Sequence, residues 1–263
     1  MLGKLIKYNS KSISRIILPL YLVIAATTLM TSIVYTIPFD NRFMQIFQGM
    51  TCFVYILSIL ALMFGTVISV LVHFYQNSIS DQAYFSYSIP ANMTQHIISK
   101  TIVGSIWTFI SVLASFFSIL LVLFSYDSNN FTHEMQSIRS EVTRLCTDSL
   151  HMPVFVAILL FILFVVGMLF MQMIIYQLCF AAGQTFQEHK LVGSILAYII
   201  IYTVMQVILA IPMLICFLIY RSEMSAVSAV YSITISYCVV AIAATIVSFY
   251  LTKYYLTKKL NLD

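Results

Sequence analysis

The sequence predicts an all-α membrane protein with six transmembrane helices, and three observations carry that prediction. First, 61% of the 263 residues are hydrophobic and only 8% charged, with a mean hydropathy of +0.99. Soluble domains carry about 25% charged residues, so a continuous water-facing surface cannot be built from this chain. Second, six apolar runs each meet the roughly 20 helical residues that a bilayer core of about 30 Å requires. Third, the lysines and arginines gather at the ends of those runs. Seven Gly and five Pro exclude collagen-like and disordered classes. The net charge of +4 is spread over span ends rather than gathered in a patch, which excludes a nucleic-acid surface.

Residues 1–15 are amphipathic if helical. At about 100° per residue, Lys4, Lys7, Lys11 and Arg15 share one roughly 80° sector. Leu2, Leu5, Ile6, Ile13 and Ile16 lie opposite. Such a helix lies in the membrane interface with its cations toward anionic lipid. A secretory signal is the competing reading, but the apolar run that follows is longer than a signal's core and five more spans come after it.

The first span covers about 16–37 and is followed by Pro38. The others cover about 46–74, 102–126, 153–180, 191–220 and 227–251. No linker or composition shift divides the chain, so residues 1–263 read as one six-span domain. With the N-terminus cytoplasmic, nine basic residues lie inside (Lys4, Lys7, Lys11, Arg15, Lys100, Lys190, Lys253, Lys258, Lys259). Four lie outside: Arg42, Arg139, Arg144 and Arg221. That bias predicts both termini in the cytoplasm.

The largest outside segment is then 125–152. Met135, Ile138, Val142 and Leu145 recur at helical spacing, and Arg144 can pair with Glu141 or Asp148. A short amphipathic helix resting its apolar edge on the mouths of the spans is the expectation. Asn130-Phe131-Thr132 is a formal glycosylation sequon. His133, Glu134 and His151 match no standard metal-ligand spacing. Cys52, Cys179, Cys216 and Cys238 fall in apolar runs, and Cys146 falls in the polar segment, where it reads as an exposed free thiol.

No charged residue stands deep in a span, and Pro212 is the only deep proline. Ion-coupled carriers usually hold an intramembrane charge and paired broken helices, so that class is disfavoured. No His-Glu-x-x-His, carboxylate pair or Gly-x-Ser-x-Gly elbow is present, which disfavours an intramembrane enzyme. Gln172, Gln177 and Gln206 lie in spans as interhelical glue or, in the sharper reading, as a translocation path. No P-loop occurs, so this chain cannot cradle ATP by that route. An external energy source would have to act through a cytoplasmic handle. The long polar and aromatic connection from Tyr75 to Lys100 is the obvious one.

At the N-terminus, Met1-Leu2-Gly3-Lys4-Leu5-Ile6-Lys7-Tyr8 and Arg15-Ile16-Ile17-Leu18-Pro19-Leu20-Tyr21 resemble the opening of bacterial ABC transporter permeases of the type-2 exporter class. Asn9 departs from the acid common in that class. Ser80-Asp81-Gln82-Ala83-Tyr84 with Ser88-Ile89-Pro90 and Lys100 resembles its first cytoplasmic loop, and Gly183-Gln184-Thr185-Phe186 with His189-Lys190-Leu191 its second. Within the class the chain is similar to exporters of amphipathic peptides, such as phenol-soluble modulin exporters. Lantibiotic-immunity and drug-efflux permeases are close competitors.

The resemblance implies two permease subunits, as a homo- or heterodimer, and two cytoplasmic ATP-binding subunits. ATP and Mg would be held by those partners, with no cofactor in this chain. It also implies a coupling helix in the first cytoplasmic loop. Asp81, Tyr84, Phe85, Pro90 and His96 are the candidate ATPase-coupling residues. On the residues alone, Pro90 opens a short helix over 91–100, and exposed aromatics beside charge suit a protein contact. A channel or a membrane scaffold without an ATPase, and an ion-coupled carrier, are the alternatives.

Overall fold

A computed structural model describes residues 2–37, 42–79, 91–149, 152–185, 190–219 and 226–258. Those residues form seven α-helices: α1 (Leu2–Thr36), α2 (Arg42–Ser78), α3 (Met93–Tyr126), α4 (Ser128–Arg144), α5 (Val154–Gly183), α6 (Lys190–Ile219) and α7 (Ala226–Lys258). A π-helical turn, Leu145–Ser149, prolongs α4. Six of the helices are long and apolar enough to cross a membrane, which makes the chain a multi-pass membrane protein. In hydrocarbon every backbone N–H and C=O must find an internal partner, and a helix satisfies them all within itself.

Two helices are longer than the sequence reading allowed. Residues 2–15 do not form a separate interfacial helix; they continue into the first span as the 35-residue α1. At about 1.5 Å per residue, α1 exceeds the bilayer core by several turns. No glycine or proline falls between Tyr8 and Leu18 to break it, and the helix passes through Pro19. Likewise, 93–100 is not a free-standing coupling helix but the first turns of α3. Asn92 caps it, its carbonyl accepting from the Gln95 amide at 2.8 Å and the His96 amide at 3.3 Å. Nothing at 99–103 breaks the helix.

The chain forms two compact units. One comprises 1–5, 73–102 and 164–263; the other comprises 6–72 and 103–163. In the first, Met171, Ile175 and Cys179 of α5 pack with Ala241 of α7, and Tyr198, Ile201 and Met205 of α6 close over them. A second cluster joins Ile97, Ala181 and Leu256. Gly183 lets α6 approach closely: a Cβ there would stand 2.5 Å from the Ser194 nitrogen and 2.6 Å from its Cα.

In the second unit α1, α2 and α3 meet along a polar face. Tyr35 and Tyr126, at the ends of α1 and α3, meet edge to face with centroids 5.4 Å apart. Asp127 breaks the chain out of α3 in an extended conformation and caps α4, accepting from the Asn130 amide at 3.0 Å. The Asn130 side-chain amide also donates to Asp127 at 2.6 Å, so the sequon asparagine is already engaged.

Candidate functional site

Lys100 is the first element of the site. The positive-inside count treats it as a solvated loop charge, yet it is only 7% exposed. A buried ammonium must be given acceptors. It donates to the Asn77 carbonyl at 3.1 Å and the Ser78 hydroxyl at 2.5 Å, and it lies over the Phe74 ring at 5.4 Å from the centroid. These contacts tie the last turn of α2 to the first turns of α3, on both sides of the connection. His73 and His96 are buried nearby and lie within electrostatic reach of the ammonium.

The base of the connection is also tied to α5. The Gln177 amide nitrogen donates to the Thr101 hydroxyl at 3.0 Å, while Gln177 Oε1 has no hydrogen-bond partner among the described residues. Phe180 lies against Phe74 and Tyr75, with centroids 6.1 and 5.9 Å away. Just past α5, Gln184 is buried, and among the described residues neither of its side-chain polar atoms is hydrogen-bonded.

The second element was not foreseen from the sequence. In the other unit, α3 presents Ser105, Thr108, Ser111, Ser115 and Ser118, all buried. Ser111 meets the Tyr21 and Thr66 hydroxyls at 2.8 Å each. Ser118 meets Thr28 at 2.6 Å and Tyr55 at 2.8 Å. Thr28 and Thr66 each donate to their own i−4 carbonyl, Ile24 and Leu62, at 2.6 Å.

A hydroxyl has one proton to give. Thr66 gives its own to the Leu62 carbonyl, so Ser111 donates to Thr66 and accepts from Tyr21, whose hydroxyl also lies 3.5 Å from the Trp107 carbonyl. Tyr55 donates to Ser118, Ser118 to Thr28, and Thr28 to the Ile24 carbonyl. The two relays are alike with α1 and α2 exchanged about α3. Trp107 adds a further tie, its ring nitrogen donating to the Ser10 hydroxyl at 3.2 Å. The arrangement ties three helices together through hydroxyl-to-hydroxyl bonds. Its signal in the sequence was the 105, 108, 111, 115, 118 spacing of small hydroxyl residues, one face of a helix.

Of the residues singled out by sequence, Lys4, Lys7, Lys11 and Arg15 are exposed along α1, as a lipid-headgroup contact needs. Asp81, Tyr84, Phe85 and Pro90 lie outside the described residues. His96 is 4% exposed, near the start of α3. Gln172, Gln177 and Gln206 do not share an environment. Gln177 is buried, Gln172 half-buried and Gln206 exposed. Cys146 is buried and free rather than exposed, within the π-helical turn where the Met152 amide returns to its carbonyl at 3.0 Å. No family model matches the chain, and neither a curated protein nor a solved structure does.

Proposed function

We propose that this chain is the membrane subunit of an ATP-driven exporter of the ABC type-2 class, working as a dimer in a bacterial plasma membrane with both termini cytoplasmic. A separate ATPase pair would supply the energy, and the cargo would be an amphipathic peptide or a lipophilic compound. The observation that carries the reading is the Lys100 clamp. It joins α2 and α3 at the root of the 79–92 connection, and Gln177 and Phe180 join that root to α5. A partner pressing on the connection therefore displaces helices instead of bending a slack loop. Closure of the ATPases on ATP would lever the connection and turn the first, second and fifth spans, changing access to a path between two protomers. A mostly uncharged membrane surface suits an apolar cargo, since buried charge demands partners.

The test replaces Tyr84 and Phe85 with Ser and measures co-purification of the ATPase together with ATP-dependent efflux from proteoliposomes. Loss of both is expected; undiminished association and efflux would overturn the handle. Passive flux through this chain alone, without nucleotide, would favour a channel instead.

A further inference from the structure

The amphipathic helix α4 touches α3 through Phe131 at its start, but the rest of its apolar edge is largely open. At about 100° per residue, Phe131, Met135, Ile138, Val142 and Leu145 fall within one roughly 80° sector. Ile138, Val142 and Leu145 are 53%, 39% and 46% exposed. The opposite face is polar: Gln136, Arg139, Ser140, Thr143, Arg144 and Thr147 line an open groove. We infer that α4 lies in the bilayer interface on the side opposite the N-terminus, with the Phe131–Leu145 stripe sunk among lipid acyl chains and the Arg139–Thr147 face in water.

Three observations name lipid as the occupant. The stripe is continuous with the outer surface of α3, because Phe131 meets Phe124 edge to face at 5.7 Å. Leu121, Leu123, Phe124 and Tyr126 there are 48–70% exposed, which in a span is a lipid-facing surface. The helix also starts at the right depth. The Tyr35–Tyr126 pair marks the aromatic level of the interface, and α4 begins two residues beyond Tyr126. Finally, α4 combines a strong separation of apolar and polar faces with a polar overall composition, the combination found in helices that lie in an interface and do not cross it. Glu134 and Glu141 flank one side of the stripe and Arg139 the other, so binding rests on apolar burial and requires no anionic lipid.

Single tryptophans placed on the two faces of the full-length protein in zwitterionic phosphatidylcholine vesicles test this. The variants are Ile138→Trp and Ser140→Trp, with Val142→Trp and Thr143→Trp as a second pair should either of the first fail to fold. Trp107, the chain's one native tryptophan, contributes equally to all of them. Emission from positions 138 and 142 is expected to be blue-shifted and quenched by acyl-chain-brominated lipid but not by acrylamide. Emission from 140 and 143 should show the reverse. Equal quenching on both faces overturns the inference, as does protection of position 138 from both quenchers, which would mean that protein covers the stripe. Dependence of the lipid quenching on added phosphatidylglycerol would overturn the apolar basis of the contact.

Discussion

Lys100 on α3 donates its ammonium proton to the hydroxyl of Ser78, the last residue of α2, at 2.5 Å. The two stand twenty-two positions apart in the chain, with the whole polar connection between them. The bond closes that connection at its root.

Ser78→Ala removes one acceptor from a buried ammonium, which is expected to cost about 1–3 kcal/mol of stability. Lys100→Met removes the buried charge but strands the Ser78 hydroxyl and the Asn77 carbonyl, so the two effects oppose and its cost should be smaller than that of Ser78→Ala. Thermal unfolding in detergent checks both. In the exporter reading Lys100→Met should still lower cargo-stimulated ATP turnover, because α2 and α3 are no longer fastened.

The two hydroxyl relays yield a second expectation. Ser111→Ala and Ser118→Ala each strand two partners in an apolar setting and should each cost about 1–2 kcal/mol. The two serines are seven residues apart, roughly 10.5 Å along the helix at 1.5 Å per residue. The double variant should therefore be additive within about 0.5 kcal/mol. A large coupling energy between them would show that the relays communicate.

Gly183→Ala and Gly65→Ala separate backbone from side-chain crowding. A Cβ at 183 meets the backbone of Ser194, which cannot step aside, so a loss of about 1–3 kcal/mol is expected. At 65 the nearest atom is Leu20 Cδ1 at 2.7 Å, the mobile end of a side chain, and the change should be nearly neutral. Unfolding midpoints of the two variants, compared directly, check the ordering.

Gln184→Met replaces a buried amide, without a hydrogen-bond partner among the described residues, with an apolar chain of similar size. Stability should rise by about 1–3 kcal/mol. If the amide is retained for transport, the more stable variant will export less; a reconstituted efflux assay measures that. Buried polar atoms without partners are rare enough in native proteins that each one calls for an explanation.

The six crossings were legible in the sequence because hydrophobic length is a local property. Any window of about 20 apolar residues must find lipid or protein wherever it lies. The amphipathic stripe of α4 was legible for the same reason, since periodicity within one helix needs no partner. What covers a stripe does need one. Met135, Ile138, Val142 and Leu145 look the same on paper whether they rest on spans or face lipid, and only the structure leaves most of that edge exposed.

The two extended helices were missed because Lys100 and Arg15 were read as boundaries. Charge does not end a helix when the backbone has no breaker and the side chain can reach acceptors or water. Composition and periodicity alone therefore determined that this is a membrane protein with six spanning helices and an amphipathic helix between the third and fourth. Tertiary structure alone decided that Lys100 is a buried clamp, that serines seven residues apart on α3 knit α1 and α2, and that Gln184 finds no hydrogen-bond partner among the described residues. The reason is physical: apolar burial depends on how many residues are near-identical in kind, whereas a hydrogen bond depends on which single atom arrives within about 3 Å.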